Sequence, residues 1–134
     1  MNFIADTDVL IDFLRDRGDS ARRIELELKT GRLCTTSITA FELWVGAKSP
    51  QEKDAVETLL AALTIIPLDA SAAKLGGDVH RALEDKGSTI GMDDSLIAGI
   101  CLHKQDILIT RNKKHFSRVP SLKISGEYKT TPDE

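Results

Sequence analysis

Short apolar runs rich in β-branched residues recur along the chain at Phe3 to Ala5, Leu33 to Thr36, Thr64 to Ile66, Ile107 to Thr110 and Leu122 to Ile124. Runs this short, bounded by polar residues, predict buried strands. Between them the spacing of apolar positions predicts helices at Val9 to Arg15, Ala21 to Lys29 ended by Gly31, Thr39 to Ala47, Pro50 to Leu63, Ala70 to Lys86 ended by Gly87, and Ser95 to Lys104. The start at Pro50 is the best marked: Ser49 is a cap, proline takes the first helical position, and Glu52 completes a capping box. Strands alternating with helices imply βα units. The expected fold is a three-layer α/β/α sandwich around a mainly parallel sheet of four to five strands.

The 134 residues suit one domain spanning 1–134. A polar tail from Gly126, GEYKTTPDE, is expected to be loose. A hydrophobic fraction of 41% with 29% charged residues describes an ordinary soluble protein rather than a disordered one. No apolar stretch approaches the roughly 18 residues of a membrane span, and the start NFIADTDV lacks the marks of a signal peptide, so the expected location is the cytoplasm. Cys34 and Cys101 lack zinc-site spacing and read as buried thiols. A net charge of −3 does not advertise a nucleic-acid binder, yet positive charge clusters in RNKKHFSR and at Arg15, Arg17, Arg22 and Arg23.

Three acids stand in apolar surroundings: Asp6 ends NFIAD, Glu42 interrupts SITAFELWVGA, and Asp94 opens SLIAGICL. A carboxylate near a core costs several kcal/mol unless it is paired, and no Lys or Arg recurs beside all three. Helix capping offers each an alternative. For the first helix Asp8 reads as the better cap, leaving Asp6 to face the crevice beyond the sheet. Thr39-x-x-Glu42 matches a capping box, although Thr36 or Ser37 can serve as the cap instead. Ile38, Phe41 and Val45 surround Glu42 on helical spacing, which sets it beside an apolar stripe. Asp93 and Asp94 precede a helix that is apolar nearly all round, where one cap suffices. A shared cation resolves all three placements. Oxygen-only ligands fit Mg²⁺ or Mn²⁺ better than zinc, and such ions act characteristically on phosphates.

In this order FIADTDVLI, TAFELWVGA, DDSLIAG and ILITRNKKHF resemble the successive motifs of the PIN-domain ribonucleases, most closely the VapC toxins of toxin–antitoxin pairs. The resemblance implies an endoribonuclease dependent on Mg²⁺ or Mn²⁺, a homodimer, and a VapB-like antitoxin that inserts a segment into the active-site groove. It implies Asp6, Glu42 and Asp94 as catalytic metal ligands, with Asp93 as an extra acid. The fourth family position falls on Asn112, where many members carry Asp. Asp8 stands where Asn or Ser is frequent and offers partial compensation. Thr7 and Thr110 are candidates to orient ligands or waters, and Arg111, Lys113, Lys114, His115 and Arg118 to contact RNA. Trp44 reads as core or interface, and His80 and His103 as surface residues.

Two other readings compete. A haloacid-dehalogenase-like phosphatase would use Asp6 as nucleophile, Asp8 as acid/base and Asp93 with Asp94 on magnesium, but Gly-Thr does not follow Asp8 and Glu42 has no role. A non-catalytic PIN-like binding module would dock a partner in the same acidic pocket.

Overall fold

The computed structural model describes residues 2–126; Met1 and residues 127–134, nearly all of the expected loose tail, lie outside the described residues. Strands β1 (Phe3–Ala5), β2 (Leu33–Thr36), β3 (Thr64–Ile66) and β4 (Ile107–Ile109) form one parallel sheet in the order β3-β2-β1-β4. Ile4 is in register with Cys34 on one side and Leu108 on the other. The chain therefore builds outward from β1 in one direction and then crosses back to add β4. Such a reversal opens a crevice at the carboxyl ends of the strands.

Side chains of a strand alternate between faces, and the core divides accordingly. Ile4, Cys34 and Leu108 join α5 (Ala70–Asp85) and α6 (Met92–Lys104) in one apolar cluster. Ala5, Leu33 and Ile109 join α1 (Thr7–Leu14), α2 (Gly18–Thr30), α3 (Ser37–Gly46) and α4 (Pro50–Ala61) in the other. Burial on both faces makes β2 continuously buried, and the hydroxyl of Thr35 is satisfied there by donating to the Ala5 carbonyl at 2.8 Å. The capping box at Ser49 forms as the sequence indicates, with Glu52 N–H donating to Ser49 Oγ at 3.1 Å and Ser49 N–H to Glu52 Oε1 at 3.0 Å.

Two expectations are corrected and one short helix is added. Leu122 to Ile124 does not form a strand: only an isolated parallel bridge joins Ile124 to Leu108. A one-turn helix, α7 (Lys113–Phe116), interrupts what reads as a charged patch, because Phe116 is fully buried and pulls the turn onto the core. Helix α6 begins at Met92, so Asp93 and Asp94 occupy its first turn rather than preceding it.

Helices α5 and α6 cross where Gly99 faces Gly76. A Cβ on Gly99 would collide with the Ala72 carbonyl oxygen and lie 2.6 Å from Gly76 N. Backbone cannot yield as a side-chain tip does. Gly99→Ala should therefore destabilise the protein by about 1–3 kcal/mol, read as a lower urea midpoint. Gly77→Ala, on the same α5 with open space around it, should stabilise by about 0.5–1 kcal/mol. Equal midpoints for the two variants would show that the crossing is not close-packed.

Candidate active site

The parallel ladder sets the first acid. Asp6 N–H donates to the Ile109 carbonyl at 2.9 Å, which holds Asp6 extended at the end of β1. That is the conformation of a helix cap, so α1 starts at Thr7 and Asp6, not Asp8, is its cap. Asp6 Oδ1 accepts from Thr7 N–H at 2.8 Å, while Oδ2 accepts from the Thr110 hydroxyl at 2.7 Å. Thr110 is aimed by Asn112 N–H, which donates to its Oγ1 at 2.9 Å. Asp6 is thus both a cap and a crevice residue, and it is only 5% exposed. Its carboxyl is pushed up from 3.8 to about 7 by burial first and by the charge of Asp8 second, against the lowering effect of its hydrogen bonds.

Asp8, in the first turn of α1, reaches the same place. Its Oδ2 accepts from Arg111 N–H at 3.0 Å. Its Oδ1 is buried without a hydrogen-bond partner among the described residues. Burial raises its pKa more than the neighbouring Arg111 lowers it.

Glu42 comes from the middle of α3. Thr36 caps that helix by accepting from Thr39 N–H at 3.1 Å, which frees Glu42 from any capping box. The Thr7 hydroxyl donates to Glu42 Oε1 at 2.6 Å and lies 3.0 Å from Thr39 Oγ1. Burial raises the Glu42 pKa, and Asp93 and Asp94 add to the rise while Thr7 opposes it. The apolar residues flanking Glu42 on α3 prove to be largely surface, with Phe41 67% exposed and Val45 63%, and Trp44 farther round the helix is 43% exposed. Trp44 is therefore not core.

Asp94 is half-buried at the start of α6 and raised by burial and by Asp93, with His115 opposing. Asn112 Nδ2 lies 3.5 Å from Asp94 Oδ2 and 3.0 Å from His115 Nδ1. His115 Nδ1 lies 3.6 Å from the same Asp94 oxygen, so this histidine faces the acids. Asp93 is exposed.

The basic residues of RNKKHFSR take separate partners. The Arg111 guanidinium is tied to Asp12 by two bonds, Nε to Oδ2 at 2.6 Å and Nη2 to Oδ1 at 3.3 Å. Arg118 donates to the Thr89 carbonyl at 3.0 Å. Lys113 and Lys114 make no ion pair among the described residues. Asp12 was not legible as a site residue, although its place four residues after Asp8 put both on one face of α1. His80 is half-buried rather than at the surface, with Nδ1 2.9 Å from Ser95 Oγ, while His103 lies 3.4 Å from Asp69. Both cysteines are free and buried, and burial raises each thiol.

Asp6, Asp8, Glu42, Asp93 and Asp94 thus share one rim without forming a finished cage: among the described residues no three His, Cys, Asp or Glu converge closely enough to hold an ion. Their donor chemistry nonetheless fits a hard divalent cation, since all are oxygens and Asp8 Oδ1 is an unpaired buried acceptor.

The PIN domain family matches residues 3–122. Among characterised proteins, the tRNA(fMet)-specific endonuclease VapC of Salmonella typhimurium is 30% identical over 92% of this chain and 96% of its own. Ribonuclease VapC2 of Rickettsia felis is 31% identical over 91% and 95%. Among solved structures, VapBC2 of Rickettsia felis bound to a promoter DNA fragment superposes with a TM-score of 0.83 at 28% identity, covering 93% of this chain and 98% of that one. DNA-bound VapBC of Salmonella typhimurium superposes at 0.82 with 29% identity, over 93% and 97%.

The raised acid has a consequence for stability. Because the folded value of Asp6 lies above its unfolded one, its contribution is fully present below pH 3.8 and lost as pH rises to about 7. In chelator the protein should lose on the order of 4 kcal/mol over that window from Asp6, read by urea unfolding. Glu52 and Asp69, both lowered chiefly by the backbone N–H groups they cap, gain stability with pH only around and below their ordinary 4.5 and 3.8 and do not offset the loss. Asp8, Glu42 and Asp94 are raised too and add to the loss, so Asp6→Asn should make the profile shallower rather than flat; a slope unchanged by Asp6→Asn would mean that Asp6 is not desolvated.

Proposed function

From the premise that this chain belongs to the PIN-domain family, we propose that it is an endoribonuclease, the toxin half of a VapBC-type pair, dependent on Mg²⁺ or Mn²⁺. One observation carries the chemical part of this reading. Acids from α1, α3 and α6 line one rim at the carboxyl end of the sheet, and one of their buried oxygens has no partner among the described residues.

Asp6, Glu42 and Asp94 are the proposed catalytic metal ligands, with Asp8 and Asn112 beside them and Asp93 at the outer edge. The chemistry a bound ion supplies is polarisation of a phosphoryl oxygen and acidification of a water. Thr110 fixes one oxygen of Asp6, and Thr7 fixes one oxygen of Glu42. Those two hydroxyls hold acids from α1 and α3 in orientation while both repel their neighbours. Asp8 brings the charge that Asn112 lacks.

The phosphatase alternative fares poorly on geometry. It leaves Glu42 without a role, yet the Thr7 hydroxyl holds that carboxylate beside Asp93 and Asp94. The proposed partners are RNA, a VapB-type antitoxin and a second copy of the chain. No described helix is long and apolar enough to cross a membrane. We place the protein in the cytoplasm.

Asp6→Asn, Glu42→Gln and Asp94→Asn should each reduce cleavage of a fluorogenic RNA by about a hundredfold or more, with the far-UV circular dichroism unchanged, and chelator should stop the wild type. Retained activity in Glu42→Gln would remove Glu42 from the metal site. Asn112→Asp should tighten Mn²⁺ binding several-fold in isothermal titration calorimetry, and unchanged affinity would put residue 112 beyond the ion's reach.

A further inference from the structure

Next to the acids, between α1, the start of α2 and the end of β4, lies a cavity of about 710 Å³. Thr110 belongs to both places: its hydroxyl donates to Asp6, and it lines the cavity wall. The charge changes sign across it. On the far side the lining holds Arg17, Arg23, Arg111 and Lys113 against Asp12 and Asp19.

Not all of this charge is available. Arg111 is committed to Asp12, and Arg23 is paired with Glu27 at 3.0 Å and lies over the Phe3 ring at 5.0 Å. Arg17 and Lys113 make no ion pair among the described residues. Arg17 also stands at the cap position of α2 and provides no side-chain cap, so the first amide groups of this 13-residue helix have no side-chain cap beside the cavity. Such an end carries donors and partial positive charge, of which Asp19 in the first turn offsets a part. Gly18 and Ser20 complete that corner.

We propose that this cavity binds a phosphodiester group of the RNA strand adjoining the bond that is cut, held by Arg17, Lys113 and the start of α2. The proposal rests on the nuclease reading and extends it. A polyanion cannot lie wholly along the acidic rim, where only the scissile group gains from a bound cation. Its neighbouring phosphate needs positive charge close by, and the shared wall at Thr110 places that charge next to the acids. The volume lies within the range of about 300–1,000 Å³ common for small-ligand pockets, which leaves room for a nucleotide. The sequence cluster at Arg15, Arg17, Arg22 and Arg23 thereby acquires one member with a role in the groove.

The test uses the full chain in two measurements: steady-state cleavage of a fluorogenic RNA in Mg²⁺, and anisotropy of a labelled single-stranded RNA decamer in the Glu42→Gln background, both at several KCl concentrations. In Arg17→Ala and Lys113→Ala the loss should appear in KM and in RNA affinity rather than in kcat. Each substitution should lower the salt slope of binding by about 0.7. Lys29→Ala, at the far end of α2, serves as the control for a general change in charge and should leave slope and KM as they are. If the double variant binds RNA with wild-type affinity and slope while the wild type cleaves and Glu42→Gln does not, the subsite is wrong and the nuclease reading stands. If the parent protein neither binds nor cleaves RNA, both fall together.

Discussion

Burial of neighbouring carboxylates, Asp6, Asp8, Glu42 and Asp94, sharpened by repulsion between acids, is the constraint around which the site is arranged. Burial raises Asp6, Asp8, Glu42 and Asp94, and neighbouring acids add to the rise at each of them. The fold meets this cost with local donors: the Thr7 amide and the Thr110 hydroxyl on Asp6, the Arg111 amide on Asp8, and the Thr7 hydroxyl on Glu42. These donors orient the acids but do not neutralise them. That residual negative charge is what a divalent ion, in the proposed nuclease, would offset.

The sheet explains why the acids meet at all. Reversal of the strand order at β1 leaves the ends of β1 and β4 adjacent, with Asp6 following one and Thr110 the other. Glu42 enters from the helix after β2, and Asp94 from α6, which glycine lets pack directly against α5. The acid rim and the cation-lined cavity are two sides of the Thr110–Arg111 corner. Charge segregation across so short a span suits an extended polyanion with one reacting bond.

Much of the framework was legible because buried parallel strands leave strong local marks. Continuous β-branched runs gave the bounds of β1, β2 and β3, and the capping box gave the start of α4. Where local marks competed, tertiary contacts decided between them. Asp6 and Asp8 are both good caps by type, and only the Asp6–Ile109 hydrogen bond across the ladder selects Asp6. The run Leu122 to Ile124 has strand composition, yet it meets β4 only at one bridge. Phe116 turned a charged stretch into a helix by burying itself, a choice invisible to charge patterning.

The same division holds for the site. Residue type and order along the chain pointed to Asp6, Glu42 and Asp94, and the structure brings these three acids to one rim, although the apolar residues flanking Glu42 lie at the surface. What the local pattern could not supply was who faces whom. The bidentate grip of Asp12 on Arg111 and the turn of His115 toward Asp94 join residues about 100 and about 20 positions apart. Those pairings follow from strand order and helix crossing, because electrostatic and hydrogen-bond energies depend on distance in space and local periodicity carries no record of it.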